Sequence, residues 1–458
     1  MSDIKRIQER INFCIKGELW EQLPKFFEEL HPADIAEIIN HAPAGAHKKL
    51  FELIDDELKP DVLAELDDHV EADILEELTD EEISDIVEEM APDDAADLLG
   101  ELEDKQREEI LDLMESEDSE EVRELLQYGE ETAGGIMTTD FVVVRAAMTA
   151  KEAIDYIGSL ELDEPVYYIY VVDAEGRLTG WIQLWELLKN GNRNQTLEAL
   201  AEKETISVHT DADQEEVARL ASKYDLSALP VLDWQNKLVG RITMDDIMDV
   251  MEDEASEDIF KLAGSSDSEL EYTSPLHASK SRLPWLLITL VTGFLSVWLL
   301  NSYHAYLSFS HAVILGAFVP VILAMGGNTG IQSSTLVIRG IALGTGRTKN
   351  IPRILLHEIT AGAMMGAICG VVFGVYARFI IGREETGFSP TYLALTVGTA
   401  LFSAMAFAAV FGAIVPVILN RMKIDPAVAS GPFVTSSNDI LALLIYYGVT
   451  FLMISLGA

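Results

Sequence analysis

One aspartate lies inside a long apolar run near the end of the sequence. Asp439 follows the polar residues TSSN at 435–438 and precedes an apolar stretch. A charged side chain is costly in hydrocarbon, and carboxylates kept at such depth usually serve an ion pathway. A second apolar run contains Pro320 and the segment GGNTG at 326–330. This pattern predicts a broken helix whose open backbone lines a cavity, and Pro416 predicts a kink in another run.

These features together predict a path for a hydrated cation. Mg²⁺ prefers oxygen ligands and gives up its water reluctantly, so one or two carboxylates can hold it through its hydration shell. Two copies of Asp439 about a two-fold axis would supply two carboxylates, with Asn328 as a further candidate ligand. We therefore predict a homodimer with an axial pore. The alternative is that the glycines only allow close helix packing and that Asp439 lies at an interface.

A second set of carboxylates follows one face of a helix predicted over 245–264. Asp245, Asp249, Asp253 and Glu257 recur at i, i+4 spacing, opposite an apolar stripe. Like charges at this spacing repel by about 0.2–0.5 kcal/mol per pair, so a cation is expected to bind along the stripe. A solvated acidic linker is the alternative.

The charge that surrounds these residues is unevenly distributed along the 458 residues. From Leu283 onward the chain has 8 basic and 5 acidic residues, which leaves 24 basic and 72 acidic residues before it, a formal charge of −48 against +3. Such acidity argues against binding to nucleic acid or to anionic lipid headgroups, which it would repel, and favours cations as partners. The two cysteines, Cys14 and Cys369, offer neither a disulfide framework nor the spacing of a metal site.

Five apolar stretches are long enough to cross a bilayer, which requires about 20 residues each. They lie at 283–304, 312–338, 354–381, 391–420 and 435–456. Lys and Arg concentrate in alternate loops, which predicts a cytoplasmic N-terminal half and an outside C-terminus. The charged N-terminus lacks the apolar core of a signal peptide, so the soluble half is expected to stay in the cytoplasm. The five spans predict a multi-pass protein, surrounded by lipid, in the cell inner membrane. His357 and Glu358 lie near a span start and are expected to be interfacial.

The soluble half divides into a helical part and a mixed part. Residues 1–130 repeat similar helical phrases from His31, Lys59, Thr79 and Ala91, which predicts an acidic α-helical superhelix. Over 131–245 a strand–turn–strand–helix pattern occurs twice, at 166–188 and at 226–248. Residues 246–275 are predicted to form a connecting helix and linker, and 276–458 a transmembrane domain.

The duplicated pattern resembles a tandem cystathionine-β-synthase (CBS) pair. Its second copy carries the phrase G-x-I-T-x-x-D, which in such pairs holds a ribose, as Gly240, Ile242, Thr243 and Asp246. Gln183 and Glu186 stand at the matching positions of the first copy and depart from the pattern.

Taken in order, these parts resemble the MgtE family of magnesium channels. The most specific phrases are GGNTGIQSS at 326–334, DPAVASGPFVTSSND at 425–439, AGGIMTTDFV at 133–142 and EASEDIFKLAG at 254–264. The resemblance implies a multidomain dimer with a helical N domain, an α/β CBS pair, a plug helix and a five-helix transmembrane domain. It also implies that Asp439 is the pore carboxylate.

The resemblance further implies cytoplasmic Mg²⁺ sites and regulatory ATP bound by the CBS pair. The sensing candidates carried over by position are Asp245, Asp246, Asp249, Glu254, Glu257 and Asp258, with Asp93 and Asp94 as candidate ligands from the N domain. The candidates for ATP are Thr243 and Asp246, with Ala228, Leu229, Pro230 and His209 as weaker ones.

We therefore predict a Mg²⁺-selective channel or transporter that is gated by cytoplasmic Mg²⁺ and modulated by ATP. One alternative is a membrane-anchored sensor of nucleotides or divalent ions without transport, and another is a transporter of Mn²⁺ or Co²⁺. Asp439 and the broken second span favour transport, because an anchor needs neither. An enzyme is not expected, because the sequence has no evident nucleophile–base pair, Walker loop or zinc motif.

Overall fold

The computed structural model describes most of the chain, in two compact units, Met1–Glu252 and Asp253–Ala458. The described residues are 11, 17, 20–28, 30–160, 166–189, 191, 193–266, 275–307, 309–342, 351–380, 389–427 and 431–457. The predicted combination of a helical part, an α/β pair, a long connecting helix and a five-helix apolar part is confirmed.

The first unit begins with short helices and 3₁₀ turns. The helices are α1 (Pro24–Phe27), α2 (Pro32–Asn40), α3 (His47–Phe51), α4 (Lys59–Ala64), α5 (Asp68–Leu75), α6 (Asp80–Val87), α7 (Pro92–Glu101), α8 (Asp104–Leu111) and α9 (Ser116–Leu125). Extended residues precede α2, α6 and α7 at the starts of the repeated phrases, at His31, Thr79 and Ala91. Thr79 and Glu82 exchange hydrogen bonds in a capping box, which satisfies backbone N–H groups that the helix start leaves free.

Two copies of a small α/β element follow. The first contains β1 (Val143–Arg145), α10 (Ala150–Ile157), β2 (Tyr168–Val172), β3 (Leu178–Gln183), α11 (Leu184–Lys189) and α12 (Leu197–Leu200), and the second contains β4 (Val208–His209), α13 (Gln214–Tyr224), β5 (Ala228–Leu232) and β6 (Leu238–Thr243). In each copy the first strand runs parallel to the second, and the second pairs antiparallel with the third. Tyr168 pairs with Gln183 as Ala228 pairs with Thr243, so the two sheets share one register.

The N-terminal helices share a hydrophobic core with the second copy. Buried Ile35 and Leu99 belong to the same cluster as Leu229 and Ile242, whereas the first copy has a separate core. Thr138 and Arg241 exchange backbone hydrogen bonds of 2.8 and 3.0 Å, so the segment before the first copy is bound to β6.

The predicted amphipathic helix is α14 (Met244–Ala263), which begins directly after β6 in the first unit and ends in the second. Its apolar stripe is only partly covered in the single chain. Ile247 and Val250 are buried, whereas Met251 and Ile259 are exposed. Further turns of this stripe therefore remain available for contact.

The second unit contains five long apolar helices among the described residues. They are α15 (Pro275–His304), α16 (Phe309–Ala342), α17 (Ile351–Ile380), α18 (Pro390–Arg421) and α19 (Pro432–Gly457). The segments long and apolar enough to cross a membrane are Ala278–His304, Val313–Ile341, Ile351–Phe379, Pro390–Arg421 and Pro432–Leu456. These segments match the five stretches predicted from the sequence.

The predicted break in the second span is wrong. Helix α16 continues through Pro320 and through the glycines at 326–330. A proline in a membrane helix is tolerated when neighbouring helices and side chains satisfy the freed backbone group. The glycines instead allow close contact with other helices, which is the alternative that the sequence left open. Helix α18 likewise continues through Pro416.

Glu358, which the sequence places near a span start, is buried against a neighbouring helix. It lies within the span of α17, its residue is 6% exposed, and it accepts a hydrogen bond from Ser333 of α16. The side chain of His357, by contrast, is 75% exposed. The sequence did not reveal which face of α17 packs against another helix, and that face decides the burial.

Three helices meet at Gly330 of α16. A methyl group at Gly412 of α18 would overlap the carbonyl oxygen of Gly330, and one at Gly330 would overlap the carboxamide of Asn438 on α19. Small residues allow this approach, and packing of this kind stabilises helix association in membranes.

We predict that Gly412→Ala destabilises the second unit by about 1–3 kcal/mol, because the added methyl group must displace backbone. Thermal unfolding of the full chain in detergent should show a lower midpoint. Gly448→Ala on α19 is the matched control, because nothing lies within 4 Å of the added methyl group there. Equal midpoints for the two variants would contradict the close approach.

Candidate divalent cation sites

Asp439 lies about two turns into α19 and is half-buried. A methyl group at Gly327 of α16 would lie 3.6 Å from Asp439 Oδ1 and 3.5 Å from Thr435. The glycine therefore leaves room beside the carboxylate.

Helix α16 carries exposed polar side chains along one stripe next to this point. Asn328, Gln332 and Arg339 are exposed in the single chain, and Thr335 is half-exposed. Their spacing places them on one helix face. Polar side chains are costly against lipid tails, so this face requires water or protein beside it. Asn328 was predicted; Gln332 was missed, although its i+4 spacing from Asn328 could have identified it.

The end of α14 contacts the loop before α19 within the second unit. Lys261 donates a 2.7 Å hydrogen bond to Asp425 and also pairs with Glu257. A methyl group at Gly431 would overlap the carbonyl oxygen of Leu262. The end of α14 therefore lies directly against the start of the helix that carries Asp439.

The predicted sensing residues Glu257 and Asp258 lie in this contact. Burial and the negative charge of Asp425 raise the pKa of Asp258. Burial alone would lower the pKa of Lys261, but its hydrogen bonds to Asp425 and Glu257 raise it. Lys261 thus supplies a positive charge between two carboxylates in this structure.

The first turns of α14 bring two predicted acids together. Asp93, in the first turn of α7, is 7% exposed, and its Oδ1 has no hydrogen-bond partner among the described residues. Burial and the nearby Asp246 raise the pKa of Asp93 well above its usual value. Burial also raises the pKa of Asp246 to about 6, although the Thr243 amide and hydroxyl donate to its Oδ2 at 2.9 and 2.7 Å. A proton or a divalent cation would relieve this repulsion.

Further carboxylates of the N-terminal helices surround this pair. Burial and the charges of Asp94 and Asp246 raise the pKa of Asp97 to about 7, even though the Asp97 side chain reaches the surface. Burial and neighbouring acids, including Asp97 and Asp94, raise the pKa of Glu71 to about 8. The structure therefore places Asp93 and Asp97 close to Asp246, with Asp94 beside both, and it places Glu71 close to Asp94 and Asp97.

Asp249 is positioned against a different acid. Burial, Glu65 at the end of α4 and Asp245 together raise the pKa of Asp249. Asp245 itself is exposed and accepts a hydrogen bond from the hydroxyl of Thr243. The i, i+4 stripe thus faces N-domain carboxylates at Asp249.

Asp253, a further member of the predicted stripe, and the sensing candidate Glu254 lie at the middle of α14. Sequence reasoning missed Glu65, Glu71, Asp97, Lys261 and Asp425. The phrase DDAADLL could have identified Asp97, because it stands four residues after Asp93 on one helix face. In the part of the chain that the structure describes, no three His, Cys, Asp or Glu side chains already form a metal site.

The residues predicted to bind nucleotide lie beside opposite ends of β5. Ala228 pairs with Thr243, beside Asp246, whereas His209 pairs with Leu232 at the other end of β5, about 13 Å away. Leu229 and Pro230 are buried, so they offer backbone rather than side-chain contacts. The structure therefore brings Ala228, Thr243 and Asp246 together and leaves His209 apart.

Comparison with protein families identifies three kinds of domain, one of them present twice, in this order. The intracellular N domain of the MgtE type matches residues 30–131, CBS domains match 133–192 and 197–253, and the MgtE divalent cation transporter domain matches 319–449.

Magnesium transporters from other organisms are similar to this chain over most of its length. The chain is 36% identical to the magnesium transporter MgtE of Enterococcus faecalis, over 71% of this chain and 69% of that one. It is 38% identical to the magnesium transporter MgtE of Thermus thermophilus, over 72% and 71% respectively. A crystal structure of the cytosolic domain of the Mg²⁺ channel MgtE in complex with ATP is 33% identical and covers 52% of this chain and 99% of its own, with a TM-score of 0.48. With these domains and relatives, the chain belongs to the MgtE family of divalent cation transporters.

Proposed function

We propose that this chain carries Mg²⁺ across a membrane as a homodimer, with Asp439 at the ion site on the two-fold axis. The observation that carries the proposal is the half-buried Asp439 beside Gly327, within a chain whose relatives are named magnesium transporters. The single carboxylate of one chain provides too few ligands for Mg²⁺, and a second copy of the chain would provide a second carboxylate. The ion then passes with much of its water.

The exposed face of α16 supports the dimer. Asn328 and Gln332 are polar, lie in a membrane span and are uncovered in the single chain. A second copy facing this stripe would enclose a polar channel and remove these side chains from lipid. The C-terminus lies outside in this arrangement, because Lys and Arg concentrate in the loops on the opposite side.

Cytoplasmic Mg²⁺ closes this channel in the proposed mechanism. The acids around Asp93 and Asp246 repel one another, and so do Asp249 and Glu65. A divalent cation bound between them, with part of its water retained, would hold α14 against the N-terminal helices. Since the end of α14 contacts the start of α19, its position can control the pore. Mg²⁺ stabilises the closed state only by as much as it binds that state better.

The second CBS copy binds ATP in this proposal, and the nucleotide modulates gating. Thr243 and Asp246 place a hydroxyl and a carboxylate at the end of β6, beside Ala228 on β5. A ribose diol needs such a donor and acceptor pair. Because Asp246 also faces Asp93, nucleotide and cation would compete for one carboxylate or share it.

Asp439→Ala should reduce Mg²⁺ uptake into proteoliposomes by at least about 100-fold, because no other Asp or Glu lies in α19 to replace it. The variant should still form dimers. Thr399→Val on α18 is the control, because the Thr399 hydroxyl is exposed and bonds only within its own helix, to Leu395 and Thr396. Parental uptake by Asp439→Ala would exclude the proposed ion site.

The Mg²⁺ response of the soluble part should depend on pH. The raised pKa values of Asp246, Asp97 and Glu71, from about 6 to about 8, mean that the folded arrangement favours their protonated forms. Without Mg²⁺, rising pH through this range ionises the acids and weakens the arrangement, and falling pH restores it. Limited proteolysis of the full chain should therefore show strong protection by Mg²⁺ at pH 8 and little at pH 5.5.

Asp93→Asn with Asp97→Asn should shrink the difference between Mg²⁺ and EDTA, because these substitutions remove both the repulsion and the ligands. Glu120→Gln, at an exposed position on α9, should leave the difference unchanged. K⁺ at equal ionic strength should not replace Mg²⁺. Identical cleavage with Mg²⁺ and EDTA at pH 8 would contradict the gating mechanism.

Thr243→Ala should weaken ATP binding about 5–30-fold, the loss expected for one or two hydrogen bonds. Isothermal titration of the full chain in detergent measures this. Gln183→Ala, at the matching position in the first copy, is the control and should bind ATP as the parent does. If the parent takes up no ATP, the nucleotide proposal fails, and equal affinities would move the site away from Thr243.

A further inference from the structure

Glu358 is a buried carboxylate within a membrane span that the proposed ion path does not use. Ser333 Oγ donates a 2.6 Å hydrogen bond to Glu358 Oε2, and His357 Nδ1 lies 3.1 Å from Oε1. Ser333 is itself 2% exposed. Two polar side chains from neighbouring helices, α16 and α17, are thus hidden together from solvent.

The sequence supplies little charge to stabilise this carboxylate. Helix α16 has no Asp, Glu, Lys, Arg or His from 312 to 338, and α18 has none before Arg421. A carboxyl group in a span costs several kcal/mol, and an apolar side chain of similar size would pack there at less cost. Packing alone therefore does not account for glutamate at this position.

The hydrogen bond is positioned to control how α16 is rotated about its axis. Ser333 directly follows the exposed Gln332, and it lies about 140° around the helix from Asn328. The bond to Glu358 therefore holds α16 from behind its exposed polar face. On its other sides α16 packs against α18 and α19 through buried side chains such as Phe318 and Ile322, and the bond to Glu358 adds a directional polar contact towards α17.

We propose that Glu358 is a positioning residue for ion conduction. Its hydrogen bond with Ser333 fixes the rotation of α16, and so keeps Asn328 and Gln332 facing the path beside Asp439. The inference rests on the proposed transport function. It assigns the α16–α17 contact a role in conduction in addition to its role in folding.

The test compares Mg²⁺ uptake by purified full-length variants in proteoliposomes. Glu358→Leu should fold and dimerise as the parent does but lose at least about tenfold in uptake. Glu358→Gln retains an acceptor for the Ser333 hydroxyl and should keep at least about half of the parental uptake. Ser333→Ala should lower uptake, and adding it to Glu358→Leu should cause no further loss, because both remove the same bond.

His357→Leu is the matched control, since it removes the other neighbour of the carboxylate and should leave uptake within about twofold. Parental uptake by Glu358→Leu would overturn the inference, and so would a Gln variant as inactive as the Leu variant. If Glu358→Leu does not fold, Ser333→Ala decides: parental uptake overturns the inference, and reduced uptake at parental unfolding temperature supports it. Parent and Asp439→Ala run in parallel, so a parent without Mg²⁺ uptake identifies a failure of the transport proposal instead.

Discussion

Hydrocarbon cannot hydrate a charge, and this constraint shapes the whole membrane unit. A polar or charged side chain inside a span must lie against protein, against water or against another copy of the chain. Glu358 meets this requirement by burial against Ser333, and Asp439 meets it in part beside Gly327. Asn328 and Gln332 do not meet it within one chain. The uncovered polar face is therefore the strongest physical reason to expect a partner copy and a water-filled path.

A different constraint governs the soluble unit, because its many carboxylates carry charge of one sign and repel one another. Burial near Asp93, Asp246 and Asp97 makes each carboxylate harder to ionise, and each ionised neighbour adds to the effect. Such a cluster stores repulsion that a divalent cation can reverse. At the end of α14, Lys261 supplies the positive charge, because it lies between Asp425 and Glu257. This end of the helix is therefore held by ion pairs within the chain and needs no metal ion.

Two features of the membrane helices share one physical cause. Pro320 and the glycines after it do not open α16, because helical hydrogen bonding continues and the missing side chains serve helix contact instead. Glu358 is buried because its carboxyl group reaches Ser333 of α16. In both cases local residue types allowed two structures, and the neighbouring helices selected one. Transport is therefore indicated by Asp439 and the polar face of α16 rather than by a broken span.

The sequence by itself determined the elements and their order. The length of the apolar runs predicted the five spans, and the repeated phrases predicted the N-terminal helices. The duplicated strand pattern predicted two similar sheets. These features can be predicted because they depend on local periodicity. The sequence also singled out Asp439, since a carboxylate within an apolar run can be recognised locally, whereas Asp93 was named only through the resemblance to the family. Only the tertiary structure brought Glu65 and Asp97 to α14, placed Lys261 on Asp425 and hid Glu358 behind α16. Those contacts join residues far apart in the chain, and packing between helices rather than local pattern decides which faces meet.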